Sequence, residues 1–257
     1  MALLKTDKIT MRFGGLTAVD SFDLEIHQGE IVGLIGPNGA GKTTVYNMIT
    51  GIYTPTENNV YFEDKIITGL KPNKIAEKGI ARTFQNIRLL ENLSVLDNVM
   101  IGTHLRLKSG LISAILRLPG YIKEEKELYK KSMSLLERIG LDSHANEKAG
   151  SLPYGEQRKL EIARALATDP KLLLLDEPAA GMNPLESSNL VDFIRQIRDD
   201  FNITIFLIEH DMKVVMKICE RIMVLDYGKT IAEGEPEDIK KNPEVIKAYL
   251  GVDMADA

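Results

Sequence analysis

The residues best suited to do chemistry form one run, Gly36-Pro37-Asn38-Gly39-Ala40-Gly41-Lys42-Thr43-Thr44. It satisfies G-x-x-x-x-G-K-[ST] at every fixed position, the spacing of a phosphate-binding loop. Glycines let the backbone curl until successive N–H groups point at one anion. A helix starting there adds the positive end of its dipole. Lys42 can reach the β/γ-phosphates, and the Thr43 hydroxyl can ligate Mg²⁺. A chance glycine-rich turn is the plain alternative. The flanks argue against it: Ile31-Val32-Gly33-Leu34-Ile35 reads as a buried strand and Val45-Tyr46-Asn47-Met48-Ile49 as a helix. The run implies a bound nucleoside triphosphate.

Further residues gather by the same logic. Lys171-Leu172-Leu173-Leu174-Leu175 runs straight into Asp176-Glu177. An apolar run without alternation suits a central parallel strand, and strand C-termini line the ligand crevice of such a sheet. Asp176 then suits Mg²⁺, directly or through water, and Glu177 suits polarisation of an attacking water. Two solvated loop carboxylates are the weaker alternative. His210 follows another apolar run, 203–208, and can sense the γ-phosphate, although a lone histidine is more often structural. Gln85 follows a short strand, which by itself assigns nothing. Ser151-Leu152-Pro153-Tyr154-Gly155-Glu156-Gln157-Arg158 precedes a helix at 159–167 and offers a second anion site, an ordinary helix cap being the alternative. Gly155 lies 21 residues before Asp176 (176 − 155).

The elements that must hold these residues are legible as patterns. Residues 8–13 predict a strand, and Phe22, Leu24 and Ile26 alternate with polar neighbours as in a half-buried one. Residues 60–63 and 66–67 predict a hairpin turning at Asp64-Lys65. A short helix at 72–78 closes at Gly79, and a strand at 80–84 ends at Gln85. From 86 to 167 the texture is mainly helical, with Ser94 and Asp97 as a capping pair and an amphipathic helix at 124–139 stopped by Gly140. Pro184 opens a helix through Arg198. A hairpin turning at Tyr227-Gly228 and two short helices, 236–240 and 243–250, end the chain.

Composition sets outer bounds. The 257 residues allow one large domain or a domain with a subdomain, and 44% apolar with 27% charged residues is ordinary for a globular protein. A net charge of −5 supplies no global field for nucleic acid or anionic lipid, so no nucleic-acid partner is expected. The single cysteine, Cys219, excludes an internal disulfide and reads as a core residue of a helical stretch at 212–222. The N-terminus lacks an apolar leader pattern. The longest lipophilic stretch, 111–122, is too short and too interrupted to span a bilayer, so the chain is expected to be soluble and to dock on other proteins if it works at a membrane.

The order of these motifs resembles the ATP-binding cassette (ABC) ATPases along essentially the whole chain. Arg82-Thr83-Phe84-Gln85 is similar to the family's Q-loop, 152–156 to its signature turn, 172–177 to its Walker B strand with catalytic glutamate, Ala180-Gly181-Met182-Asn183 to its D-loop, and His210 to its switch histidine. The resemblance implies an α/β P-loop NTPase fold with an antiparallel β subdomain. A single domain over 1–257 would have a core of 1–85 and 168–257, with a helical subdomain at 86–167 inserted into it. It implies ATP and Mg²⁺ as ligands, Glu177, His210, Gln85 and Lys42 as catalytic residues, and Thr43, Gln85 and Asp176 at the metal. Phe13 would stack on adenine, residues 36–44 would bind phosphate, and Leu152, Gly155 and Glu156 would cap the triphosphate of a second cassette. Departures are Pro153 and Tyr154 in the signature and Asn183 in the D-loop, which bear on rate more than on the reaction.

Within that family, Met11-Arg12-Phe13-Gly14-Gly15-Leu16, Leu152-Pro153-Tyr154-Gly155, Ala179-Ala180-Gly181-Met182-Asn183-Pro184, Ile208-Glu209-His210-Asp211-Met212 and the ending Val245-Ile246-Lys247-Ala248-Tyr249-Leu250-Gly251 resemble the ATPases of branched-chain amino acid importers. That narrower resemblance implies a second cassette, two transmembrane permeases, an extracytoplasmic binding protein and a peripheral position on the cytoplasmic face of the membrane. Rivals are the ATPase of lipopolysaccharide export, a soluble ABC protein of DNA repair or translation, and a small P-loop kinase or GTPase. The 82–85 approach and the Leu-Pro-Tyr-Gly signature favour the importer over the first. One cassette and one cysteine argue against the second, and the signature turn with the Glu-His pair against the third.

Overall fold

The computed structural model describes residues 1–103 and 118–250. Most of the lipophilic stretch at 111–122 and Gly251 of the C-terminal motif lie outside the described residues. The chain divides into two compact units, Met1–Ile75 with the chain from Lys171 onward, and Ala76–Pro170.

The first unit opens with β1 (Ala2–Phe13) and β2 (Leu16–His27), paired antiparallel. β1 starts six residues before the predicted strand because Leu4 is sandwiched, pairing with Ile26 on one side and Phe62 on the other. The alternation in β2 is real: Phe22, Leu24 and Ile26 are buried while Ser21, Asp23 and Glu25 face solvent. Next come β3 (Ile31–Ile35), α1 (Lys42–Ile49), β4 (Glu57–Phe62), β5 (Lys65–Ile66) and α2 (Pro72–Glu77). The β4–β5 turn is Glu63-Asp64, both at positive φ (49° and 58°), one residue earlier than the pattern predicts. Positive φ at both central residues is the hairpin geometry that matches strand twist.

The second unit holds β6 (Ile80–Arg82), α3 (Val95–Thr103), α4 (Pro119–Ile139) and α5 (Tyr154–Leu166). β6 is shorter than predicted, and 83–94 is irregular rather than helical. Side chains hold that segment instead. Buried Asn98 donates to the carbonyls of Leu90 and Ser94 and accepts from the Leu90 N–H, at 2.9–3.1 Å. Ser94 and Asp97 cap α3 reciprocally, the Asp97 N–H donating to Ser94 Oγ at 3.0 Å. α4 begins at Pro119, five residues before the expected start, since proline at the first turn pre-sets φ. It buries Leu128, Leu135, Leu136 and Ile139, the expected stripe, and ends at Gly140 in the left-handed region. α3 crosses α5 so closely that a Cβ at Gly102 would lie 2.4 Å from the Arg164 carbonyl oxygen.

The chain then returns to the first unit with β7 (Leu172–Asp176), α6 (Pro184–Phe201), β8 (Thr204–Ile208), α7 (Met212–Ile218), β9 (Arg221–Asp226), β10 (Lys229–Gly234), α8 (Pro236–Lys241) and α9 (Pro243–Leu250). In this unit β2-β1-β4-β5 form an antiparallel sheet, and β10-β9-β3-β8-β7 run in that order with β9, β3, β8 and β7 parallel. Every residue of β3, β7 and β8 is buried, as the unalternating runs predicted. Burying each Ile, Leu or Val contributes about 1.5–3 kcal/mol. α7 is shorter than the expected 212–222 helix. Cys219 leaves it in extended backbone, buried, with its Sγ 2.8 Å from where a Cβ on Gly33 would stand. Burial pushes this thiol far above its ordinary range, which suits the core reading. Among the described residues no helix is long and apolar enough to cross a membrane.

Candidate nucleotide site

Strand register brings the chemistry together. In β3, β8 and β7, Leu34 pairs with Ile208 and Ile208 with Asp176. The chain therefore leaves the sheet at Gly36, Glu209 and Glu177 along one edge, the C-terminal edge of parallel strands.

The loop at 36–44 needs its glycines. Gly36, Gly39 and Gly41 have φ of 152°, 81° and 105°. A Cβ would meet the Leu225 carbonyl oxygen at 2.0 Å from Gly36 and that of Ala18 at 2.6 Å from Gly41. Lys42 curls back over the loop, its Nζ donating to the Gly36 carbonyl at 2.7 Å and the Pro37 carbonyl at 2.9 Å. Burial pulls the Lys42 ammonium below its ordinary value, and the carboxylates of Glu177 and Asp176 oppose that shift. α1 is preceded by Gly41 as its N-cap, with no side-chain cap on its first-turn N–H groups. Thr43 is exposed beside them. Curled backbone, an uncapped helix start and a lysine fit a phosphate chain, and the Thr43 hydroxyl with Asp176 fits a divalent cation.

Bracing of this loop comes from residues with no motif of their own. The Gly228 N–H donates to the Ala40 carbonyl at 2.9 Å, and the Asp20 N–H to the Gly228 carbonyl at 2.8 Å. Fully buried Tyr46 shares its single O–H between the carbonyls of Phe206 (2.5 Å) and Leu175 (3.2 Å), pinning α1 across β7 and β8. The tyrosine in Val45-Tyr46-Asn47-Met48-Ile49 is the sequence signal for this bracing, since a buried hydroxyl requires a partner.

Asp176 is 7% exposed. Glu177 has φ +46°, a left-handed conformation that costs a non-glycine residue about 1–3 kcal/mol. Its N–H donates to the Ile208 carbonyl at 2.9 Å, and its carboxylate lies 3.4 Å from His210 Nδ1. Glu209, missed by the sequence reading, is completely buried. Its Oε1 accepts from the Ala179 N–H at 2.8 Å and its Oε2 from the His210 N–H at 3.1 Å. It thereby ties the loop after β7 to the loop after β8. Burial pushes this carboxyl upward, and the N–H donors of Ala179, Asp211 and His210 hold it back. Glu209→Gln turns an NH₂ donor toward one of those N–H groups. A loss of about 1–3 kcal/mol in unfolding free energy is expected by denaturant titration; an unchanged midpoint contradicts this role.

Phe13 stands at the end of β1, 41% exposed, edge-on to Tyr53 at 5.3 Å. Asn183 caps α6 through the N–H groups of Leu185 and Glu186, both at 3.0 Å. The remaining predicted residues lie in the second unit. α5 begins at Tyr154, so Gly155 and Glu156 sit in its first turn rather than before the helix. Leu152 is buried, which leaves only its backbone for a ligand. The Gln85 carbonyl accepts from Arg158 Nη2 at 2.8 Å.

A phosphate loop, a carboxylate-tipped buried strand and a histidine on one parallel edge define a P-loop nucleotide-binding protein. The chain belongs to the ABC transporter family, whose model matches residues 19–180; a second model, described as branched-chain amino acid ATP-binding cassette transporter, matches 229–255. The chain is 49% identical over 97% of its length, and 98% of the relative's, to the high-affinity branched-chain amino acid transport ATP-binding protein LivG of Escherichia coli. Its fold is similar to the ADP conformation of MJ1267, an ATP-binding cassette of an ABC transporter, with TM-score 0.86 and 33% identity over 98% of this chain and 100% of that one. It is also similar to the ATP-binding cassette MJ0796, solved as a dimer bound to ADP and Pi, with TM-score 0.73 and 26% identity over 91% and 98%.

Proposed function

We propose that this cassette hydrolyses ATP to energise an importer of branched-chain and other hydrophobic amino acids. The observation that carries the chemistry is the single sheet edge on which Lys42, Asp176, Glu177 and His210 converge. ATP would place its phosphates on residues 36–44 under Lys42 and its adenine against Phe13. Thr43, Gln85 and Asp176 would hold Mg²⁺, which would neutralise charge on the phosphates. Glu177 takes a proton from the attacking water. The water oxygen bonds to the γ-phosphorus as the bond to the β,γ-bridging oxygen breaks, releasing ADP and phosphate. His210 orients Glu177 and reports the γ-phosphate.

Residues 86–167 are read as a helical subdomain inserted into a core of 1–85 and 168–257. Its Leu152, Gly155 and Glu156 would complete the site of a second cassette. Among the described residues nothing requires glycine at 155: its φ lies outside the left-handed region and a Cβ would meet nothing within 4 Å. Room for close approach by an outside group accounts for it. The dimeric form of MJ0796 supports this pairing, and the similarity to LivG over nearly the whole of both chains supports the transport assignment. Two transmembrane permeases and an extracytoplasmic binding protein complete the assembly, with this chain peripheral on the cytoplasmic face. Deleting its gene is expected to abolish uptake of labelled leucine, isoleucine and valine; undiminished uptake overturns the substrate assignment.

A further inference from the structure

The largest fully buried side chain in the described structure is charged, and it is Arg158. It sits one turn into α5, beyond the 152–156 turn. Its Nη1 donates to the Phe84 carbonyl at 2.9 Å and to Glu161 Oε2 at 2.8 Å. Its Nη2 donates to the Gln85 carbonyl at 2.8 Å and lies 3.4 Å from the Tyr154 hydroxyl oxygen. Glu161 is 2% exposed, and its other oxygen accepts from the Arg88 N–H at 3.1 Å. The Arg88 guanidinium in turn lies 4.0 Å over the Phe84 ring. One ion pair on α5 thus holds Phe84, Gln85 and Arg88 of the irregular segment.

We propose that Arg158 is a positioning residue that locks the Gln85 loop to the turn at 154–156, so that the two move as one body. The pair itself adds little net stability, because a buried ion pair gives up hydration on both partners. What the guanidinium adds is a rigid fork that reads two successive carbonyls at once. Tyr154 gains a role as well. This departure from the signature pattern places its hydroxyl on the same guanidinium, extending the lock to the turn itself. The inference rests on the reading above, in which Gln85 answers to the γ-phosphate in its own chain while residues 152–156 cap the partner's nucleotide. The lock then delivers a signal from one nucleotide to the other, a coupling between sites.

The test uses the full chain carrying Glu177→Gln as parent, with and without the paired change R158M/E161L, which removes both charges and keeps apolar volume. Fluorescent ATP binding to the monomer is expected to match the parent, and the thermal midpoint to fall while the fold is kept, since the carbonyls of Phe84 and Gln85 and the Arg88 N–H lose their partners. The ATP concentration for half-maximal dimer, read by light scattering, is expected to rise roughly tenfold or more, within the usual span of site–site coupling. A dimer half-point equal to the parent's overturns the lock. A parent that never dimerises with ATP overturns the reading beneath it and the lock together. If the paired variant unfolds, Arg158→Lys takes its place. A single ammonium cannot span both carbonyls, so the same rise is expected, and its absence is equally fatal.

Discussion

Glu177→Gln is expected to bind ATP, to hydrolyse it about 10²–10⁴-fold more slowly, and to accumulate as a dimer with Mg-ATP. The amide has the shape of the carboxylate and cannot accept the proton of the attacking water. Shape is well controlled at this position. Glu177 leaves a fully buried strand, its N–H is fixed on the Ile208 carbonyl at 2.9 Å, and its side chain is 18% exposed beside His210. The substitution therefore removes proton acceptance with little change of packing. Binding precedes that step and survives. Stalled hydrolysis leaves the γ-phosphate in place, and with it whatever interface that phosphate holds. Phosphate release measures the first effect and light scattering the second. Wild-type turnover with no added dimer would sink the assignment of Glu177.

Lys42→Ala is expected to lose nucleotide binding itself. The ammonium organises the loop through the carbonyls of Gly36 and Pro37 and supplies a buried positive charge facing Asp176 and Glu177. A hydrogen bond to a charged group is worth about 1.5–3 kcal/mol, so losing contacts to two phosphates lowers affinity by about 10²-fold or more, at 1.4 kcal/mol for each factor of ten. Folding is expected to survive, because the two hydrogen bonds lost lie within the loop itself. A fluorescent ATP titration beside a thermal melt separates the two effects. Unchanged affinity in a folded variant refutes the loop's role.

Local spacing made the phosphate loop, the acidic end of β7 and the closing hairpin readable, because each is a pattern along a few residues. Residues that act through distant partners were not readable. Glu209 looked like a neighbour of His210, yet its carboxylate serves Ala179, 30 residues away. Arg158 reads in sequence as part of the turn before a helix and Glu161 as a residue within that helix, and no periodicity says that 84–88 folds over them. Irregular segments were hardest. Residues 83–94 carry helix-compatible side chains, but their backbone is held by Asn98, Arg158 and Glu161 rather than by its own ladder. Boundaries drifted where pairing rather than propensity decides. Ala2 and its neighbours belong to β1 because β2 and β4 flank them.

The placement of β3 also fixes an order of events during synthesis. Its pairing partners on both sides begin at Thr204 and Arg221, so the strand at Ile31 waits 173 residues (204 − 31) for the first of them. At about 5–20 residues per second that is a delay of about 10–35 s. The unit at 76–170, continuous in sequence, emerges whole within that interval. The nascent chain therefore carries Ile31-Val32-Gly33-Leu34-Ile35 unpaired, a short uncharged apolar segment of the kind that seeds intermolecular β-pairing. The same burial that steadies the nucleotide loop in the finished protein makes its strand the part most in need of protection before the chain is complete.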